Sequence, residues 1–331
     1  MLFDLENTPN NENKKFSKTP DFNLENPQLY ISDFKNYYVN NLGLKLTFTN
    51  MYLNFKSQIL NDHPLPNEVV QAKEGWYFLG NSYNDILNDS FGNVPFTNAE
   101  LHAITQKLSK IKQHLNLKKI EFYIVVPPNK QTIYKEHLPF QLTSHTKRLS
   151  QLQQHLKTHS DLKIISPETL LMSKKNDLPL YHKTDSHWND YGAFLGYSET
   201  IKMIGKDFEI APIPRSDYRM TTTLFKGDLM PILNKNSDEE SLVLKKIKPS
   251  KVDTLSAVYT FRHFTNPTNN LKLIMHCDSF ADAWIPFFNE SFGETVYVRN
   301  YIIDNSLIEK TQPDIVIFEI VERNLIDLLN N

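Results

Sequence analysis

A chain of 331 residues exceeds the minimum for one domain, and its 40% apolar and 12% aromatic content is enough for a substantial core. The formal net charge of −2 gives no global field for nucleic acid, so a nucleic-acid partner is not expected. Cys277 is the only cysteine, which rules out an intramolecular disulfide.

Residues 1–27 are polar and aperiodic and read as an extended arm. The next stretch, Leu29–Leu60, carries Phe34, Tyr37, Tyr38, Leu42, Leu46, Phe48, Tyr52 and Phe55. This predicts one or two amphipathic helices that pack on the rest of the chain. Gly75–Gly80 reads as a strand. Thr97 with Glu100 forms a capping-box pattern for a helix to about Leu115. Ile120–Val126 predicts a buried strand that Pro127-Pro128 ends, because proline cannot continue the ladder. Asn129 and Lys130 then follow a carboxyl strand end, where open α/β sheets hold their ligands. Ser144–His159 predicts a helix and Leu162–Ile165 a short strand.

The run Leu180 to Gly192 (Leu-Tyr-His-Lys-Thr-Asp-Ser-His-Trp-Asn-Asp-Tyr-Gly) organises the chain. In a loop, the two-residue spacing of Asp185 and His187 lets the carboxylate accept from one imidazole nitrogen and leaves the other free to take a proton. Trp188 is placed to shield that pair from water. A helix follows to Ile204. Residues 205–270 are proline-rich and less regular, either an insertion or cap over the site or a loop-rich edge with strands such as Leu242–Ile247 and Val258–Arg262. Beyond them the pattern tightens to strand Leu271–Met275, helix Phe280–Glu290, strand Val296–Val298, strand Ile315–Ile320 and a terminal helix Arg323–Leu329. Alternating strands and helices argue for a parallel sheet covered on both faces.

Ser279 lies four residues beyond the end of the apolar run Leu271–Met275, at a strand-to-helix turn where backbone N–H groups are at hand. It is the candidate nucleophile, with His187 as base and Asp185 as its orienter. Cys277 reads as a small buried turn residue. Asp278 is expected to cap the following helix and Asp228 to sit in a turn, while Arg299, after the strand Val296–Val298, is a candidate cleft residue. Asp185, His187, His182 and Asp190 do not have the spacing of a zinc site, so no metal and no cofactor are expected.

These motifs resemble the alginate O-acetyltransferase family of the bacterial periplasm, whose domain is similar to the SGNH hydrolases. The resemblance rests on Thr184-Asp185-Ser186-His187-Trp188-Asn189 and Asp278-Ser279-Phe280. Further landmarks are Glu74–Gly80, Val126–Lys130 with Tyr134, Gly227-Asp228-Leu229, Pro313–Val316 and Val321-Glu322-Arg323. Cys277 departs from the glycine often found two residues before such a serine. The resemblance implies a Rossmann-like, SGNH-type parallel sheet over residues 70–331, with 1–69 as an N-terminal arm and helical extension. It implies an O-acetyltransferase that passes acetyl from Ser279 to a hydroxyl of an exported polysaccharide. Asn129, Lys130, Trp188 and Arg299 are then expected at the substrate. The alternatives are a carbohydrate acetyl esterase with the same triad and a non-catalytic polysaccharide-binding subunit of an export complex.

No apolar run of eighteen residues and no signal-peptide core is present. The chain reads as mature sequence, and the resemblance favours a periplasmic or otherwise extracytoplasmic location behind a targeting segment or inner-membrane anchor. In that family a membrane-bound acyltransferase partner supplies the acetyl group.

Overall fold

The computed structural model describes residues 66–141 and 146–330, together with Tyr30, Ile31, Asp33, Phe34, Lys35, Tyr37 and Phe55. The expected arm over 1–27 and most of the expected Leu29–Leu60 helices lie outside the described residues. Tyr30, Ile31, Asp33, Phe34, Lys35 and Tyr37 are helical. By its internal contacts the chain divides into residues 1–66 with 231–235, and residues 67–230 with 236–331.

Eleven strands are described: β1 (Val69–Gln71), β2 (Tyr77–Leu79), β3 (Glu121–Val125), β4 (Lys163–Ile165), β5 (Tyr218–Lys226), β6 (Asp238–Lys246), β7 (Asp253–Val258), β8 (Phe261–Thr265), β9 (Lys272–His276), β10 (Glu294–Val298) and β11 (Ile315–Glu319). Seven form one sheet in the order β4-β3-β11-β9-β10-β8-β7. The first five of these run parallel, while β8 is antiparallel to β10 and β7 to β8. The central strands are continuous apolar runs because both their faces are covered: Leu273, Ile274, Met275, Val316 and Ile317 are fully buried. The helices Asn98–Asn116 and Arg148–His159 bring Leu108, Leu115, Leu152 and Leu156 into that core. The fold is therefore mixed α/β with a mostly parallel central sheet flanked by helices.

Several local expectations hold. Thr97 caps its helix, accepting from the Glu100 N–H at 3.2 Å, while the Glu100 carboxylate accepts from the Thr97 N–H at 2.7 Å. Others are corrected. The strand at Gly75–Gly80 narrows to β2 and pairs with β1 in its own two-stranded sheet. Val258–Arg262 is not one strand but the end of β7, the turn Tyr259-Thr260 and the start of β8. The helix expected over Phe280–Glu290 begins as a 3-10 turn, Ser279–Trp284, and becomes α-helical only at Ile285. Pro286 sits at the start of the α segment, where a missing N–H costs nothing.

Residues 205–270 divide into two pieces. β7 and β8 extend the main sheet, whereas β5 and β6 form a ribbon of nine residue pairs. The end of that ribbon lies on the Asp-x-His loop. Glu239 of β6 accepts from the N–H groups of Lys183 and Thr184 at 2.7 and 2.8 Å and from the Thr184 hydroxyl. Phe225 of β5 stacks on His182 at 3.8 Å between ring centres. Gly227 is packed so closely that a Cβ there would stand 2.0 Å from the Thr184 carbonyl oxygen. We predict that Gly227→Ala lowers unfolding free energy by about 1–3 kcal/mol, because backbone opposes the added methyl. Thermal and denaturant melts read this directly; an unchanged midpoint would contradict the close packing.

Candidate active site

All five parallel strands run the same way, so their carboxyl ends share one edge of the sheet, and β9 leads from there into Cys277, Asp278 and Ser279. Asp278 fixes the turn. Its Oδ1 accepts from the Phe280 N–H at 3.0 Å, and its Oδ2 accepts from the Val321 N–H at 2.8 Å and the Asn324 amide at 3.1 Å. The Asp278 N–H in turn donates to Glu319 Oε2 at 2.9 Å. The Ser279 N–H has no acceptor among the described residues.

The opposing loop is pinned at both ends. Tyr181 and Trp188 form a β-bridge, and Asn189 caps the helix Asp190–Ile204 by accepting from Tyr191 and Gly192 N–H, both at 3.0 Å. Between these pins, His187 Nδ1 lies 2.7 Å from Asp185 Oδ1 and His187 Nε2 lies 2.7 Å from Ser279 Oγ. The Asp185 carboxylate also accepts from the N–H groups of His187 and Asp228, both at 2.8 Å. Burial alone would raise its pKa. The bond and charge of His187, with the two N–H donors, outweigh burial and hold Asp185 well below the usual carboxylate range. The structure thus brings Asp185, His187 and Ser279 into one hydrogen-bonded line, with His187 and Ser279 both partly exposed.

Asp228 belongs to this group, although its sequence context favoured a turn over a cleft carboxylate. Its carboxylate accepts from the Ser186 N–H at 2.8 Å and the Ser186 hydroxyl at 2.7 Å, and its Oδ2 stands 3.5 Å from His187 Nδ1. Burial and the negative Asp185 raise its pKa. The Gly227-Asp228 pairing was the available signal, since a close-packed glycine delivers the next residue to the loop. Asp185, His187 and Asp228 also offer donor atoms within 4.8 Å of one another and are the residues here that could hold a cation. His182 and Asp190 are not among them. His182 stacks on Phe225, and Asp190 accepts from the Leu244 N–H at 2.9 Å.

Of the four residues expected at the substrate, Trp188, Asn129 and Lys130 are buried and Arg299 is partly exposed. Trp188 is 1% exposed; its indole N–H donates to the Phe280 carbonyl at 3.1 Å and so ties the histidine loop to the serine turn. Asn129 is 1% exposed, with its Oδ1 accepting from the Arg323 N–H at 3.3 Å. Lys130 is 2% exposed, and its ammonium donates to the carbonyls of Tyr77, Lys183 and Asp185 at 2.6, 2.9 and 2.8 Å. Burial pulls its pKa down to about 7, against the pull of Glu239, Asp185 and Asp228. Arg299 is held with Arg262 on the Asp282 carboxylate and lies 4.7 Å from the Tyr259 ring centre. Its side chain is 10% exposed. Cys277 is buried, and burial pushes its thiol pKa well up, which leaves it a poor nucleophile beside Ser279.

The chain matches the family model described as SGNH hydrolase-like domain, acetyltransferase AlgX, over residues 69–258, more than half its length. The match ends before Ser279. No curated protein sequence matches it. Among solved structures it is similar to Bacillus cereus PatB1, with 19% identity and a TM-score of 0.59, covering 78% of this chain and 96% of that one. It is also similar to the O-acetyltransferase domain of Pseudomonas putida AlgJ (13%, TM-score 0.51, covering 80% and 99%) and to Pseudomonas aeruginosa AlgX (14%, TM-score 0.52, covering 81% and 67%). At these identities the likeness is one of fold.

Lys130 generates a prediction of its own. Lys130→Met removes the donor for three carbonyls, one of them on Asp185, and each buried polar group left unpaired costs about 1–3 kcal/mol. A loss of at least about 2 kcal/mol in chemical denaturation is expected on that basis. A variant as stable as the parent would show that these carbonyls find other partners.

Proposed function

We propose that this chain, which belongs to the AlgX family of SGNH hydrolase-like acetyltransferase domains, moves an acetyl group through Ser279 to a hydroxyl of a polysaccharide outside the cytoplasm. The observation that carries this reading is the line Asp185–His187–Ser279, with 2.7 Å at each step.

The chemistry follows from that line. A serine hydroxyl is a weak nucleophile at neutral pH. His187 Nε2 accepts the Ser279 proton as Oγ bonds to the acetyl carbonyl carbon of the donor ester, whose carbonyl oxygen becomes negative. Asp185 holds Nδ1–H and offsets the positive charge that develops on the ring. Collapse re-forms the carbonyl and breaks the donor C–O bond, and the leaving oxygen takes the proton from His187. An acceptor hydroxyl then loses its proton to His187, attacks acetyl-Ser279, and Ser279 leaves with that proton. The free Ser279 N–H is one donor to the negative oxygen.

The acetyl donor, in this reading, comes from a membrane-bound acyltransferase partner, and the chain works in the periplasm or a comparable space. Among the described residues no helix is long and apolar enough to cross a membrane. Arg299 acts on the substrate only indirectly, by holding Asp282 one 3-10 turn beyond Ser279.

Ser279→Ala, His187→Ala and Asp185→Ala are each expected to abolish most turnover of nitrophenyl acetate. Double variants should be little worse than singles, because the three act as one unit. With an acetyl donor and oligosaccharide acceptors, mass spectrometry should find acetylated product only with Ser279 intact. Loss of acetyl from acceptors with no gain on any would favour the esterase. Tight oligosaccharide binding with neither reaction, unaffected by Ser279→Ala, would favour a binding subunit.

A further inference from the structure

Arg323 is an unpaired cation beside the serine. Its side chain makes no salt bridge and no hydrogen bond among the described residues, whereas Arg262 and Arg299 share Asp282, and Arg148 donates to the Val94 and Asn84 carbonyls. The segment that carries it is fastened to the nucleophile turn, since Val321 N–H and the Asn324 amide both donate to the carboxylate of Asp278. The guanidinium lies 5.2 Å from the ring centre of Phe280, and that ring is 4.9 Å from the ring of His187. Arg323 thus lies on a segment whose Val321 and Asn324 bond the residue before Ser279, while its own N–H donates to Asn129 Oδ1 and its guanidinium lies over the residue after Ser279.

The fixed charges around Ser279 are mostly negative: Asp185, Asp228, Asp278 and Asp282, with Glu322 behind them bonded to Lys147. Attack on an acetyl carbonyl adds one more negative charge there. The ammonium of Lys130 is spent on three carbonyls, and Arg262 and Arg299 are spent on Asp282. Arg323 has an uncommitted guanidinium and partial exposure.

We propose that Arg323 is a catalytic residue whose guanidinium stabilises the negative oxygen of the tetrahedral intermediates at Ser279, alongside the Ser279 N–H. This rests on the reading of Ser279 as nucleophile. In each half-reaction the carbonyl π pair moves onto oxygen as the new C–O bond forms, and returns as the old C–O bond breaks. The arginine faces that oxygen and exchanges no proton.

The test uses the full chain with nitrophenyl acetate and with an alkyl boronic acid, which forms an anionic tetrahedral adduct on an active serine. Arg323→Gln is expected to lower kcat by about 10²–10³, the loss typical of one oxyanion donor, with KM within about twofold. Boronate affinity should fall by a similar factor, and Arg323→Lys should recover part of both. An Arg323→Gln enzyme with unchanged kcat overturns the proposal, as does one that loses kcat while binding boronate as tightly as the parent. If Arg323→Gln does not fold, Arg323→Lys carries the test: boronate affinity and kcat must fall together, and a fall in kcat alone overturns it. Ser279→Ala run in parallel separates the two claims. Turnover that survives Ser279→Ala refutes the nucleophile itself, whereas a dead Ser279→Ala beside a fully active Arg323→Gln refutes only the arginine.

Discussion

His187 must meet Ser279 across 92 residues of chain, and an imidazole placed even 1 Å out of line would lose most of its value as a base. The architecture around the site can be read as the solution to that placement. The serine sits at the carboxyl end of β9, the strand between β11 and β10, and so inherits the rigidity of the sheet. The histidine sits on a loop, which has no such support of its own. The β5–β6 ribbon, the Tyr181–Trp188 bridge, the Asn189 cap and the Lys130 ammonium supply it from four directions. Trp188 closes the arrangement by bonding the loop to the serine turn through the Phe280 carbonyl.

Buried polar groups carry much of this positioning by accepting from backbone N–H groups, although Glu319 Oε1 itself has no hydrogen-bond partner among the described residues. Glu319 at the end of β11 is fully buried; burial and the nearby Asp278 charge push its carboxyl pKa well up. It accepts from the Asp278 N–H and so fixes the residue before the nucleophile. Glu322 does the same for the loop after β3, accepting from the Asn129 N–H at 2.8 Å and the Thr132 hydroxyl at 2.6 Å, with Lys147 at 3.1 Å. Such groups are costly to bury, and they persist where every donor and acceptor must point one way. The result is the line Asp185–His187–Ser279 backed by a layer of buried polar groups.

Sequence reasoning reached the sheet, because apolar runs such as Ile315–Ile320 mark strands buried on both faces. It reached the Asp-x-His loop and the serine turn for a different reason: carboxylate, imidazole and hydroxyl are few, and their local spacing constrains what they can do. It did not show that Lys130 and Asn129 are buried. A polar residue at a carboxyl strand end reads as a ligand contact, and nothing local reveals that three carbonyls from distant segments converge on Lys130. Asp228 was underestimated for the same reason. Its partner Ser186 is 42 residues away, and the β5–β6 ribbon beside it lies in the proline-rich segment that read as less regular. The 3-10 start of the helix after Ser279 was hidden because Pro286 marks where an α-helix begins without saying what precedes it.

The account turns on whether acetyl resides on Ser279 during turnover. Acid-quenching the enzyme in the steady state with nitrophenyl acetate, then mapping peptides by mass spectrometry, measures this directly. The account predicts one added acetyl on the peptide that contains Ser279, localised to that residue and absent from Ser279→Ala. Turnover with no acetylated Ser279 at any quench time, or acetyl found on Cys277 instead, would contradict it.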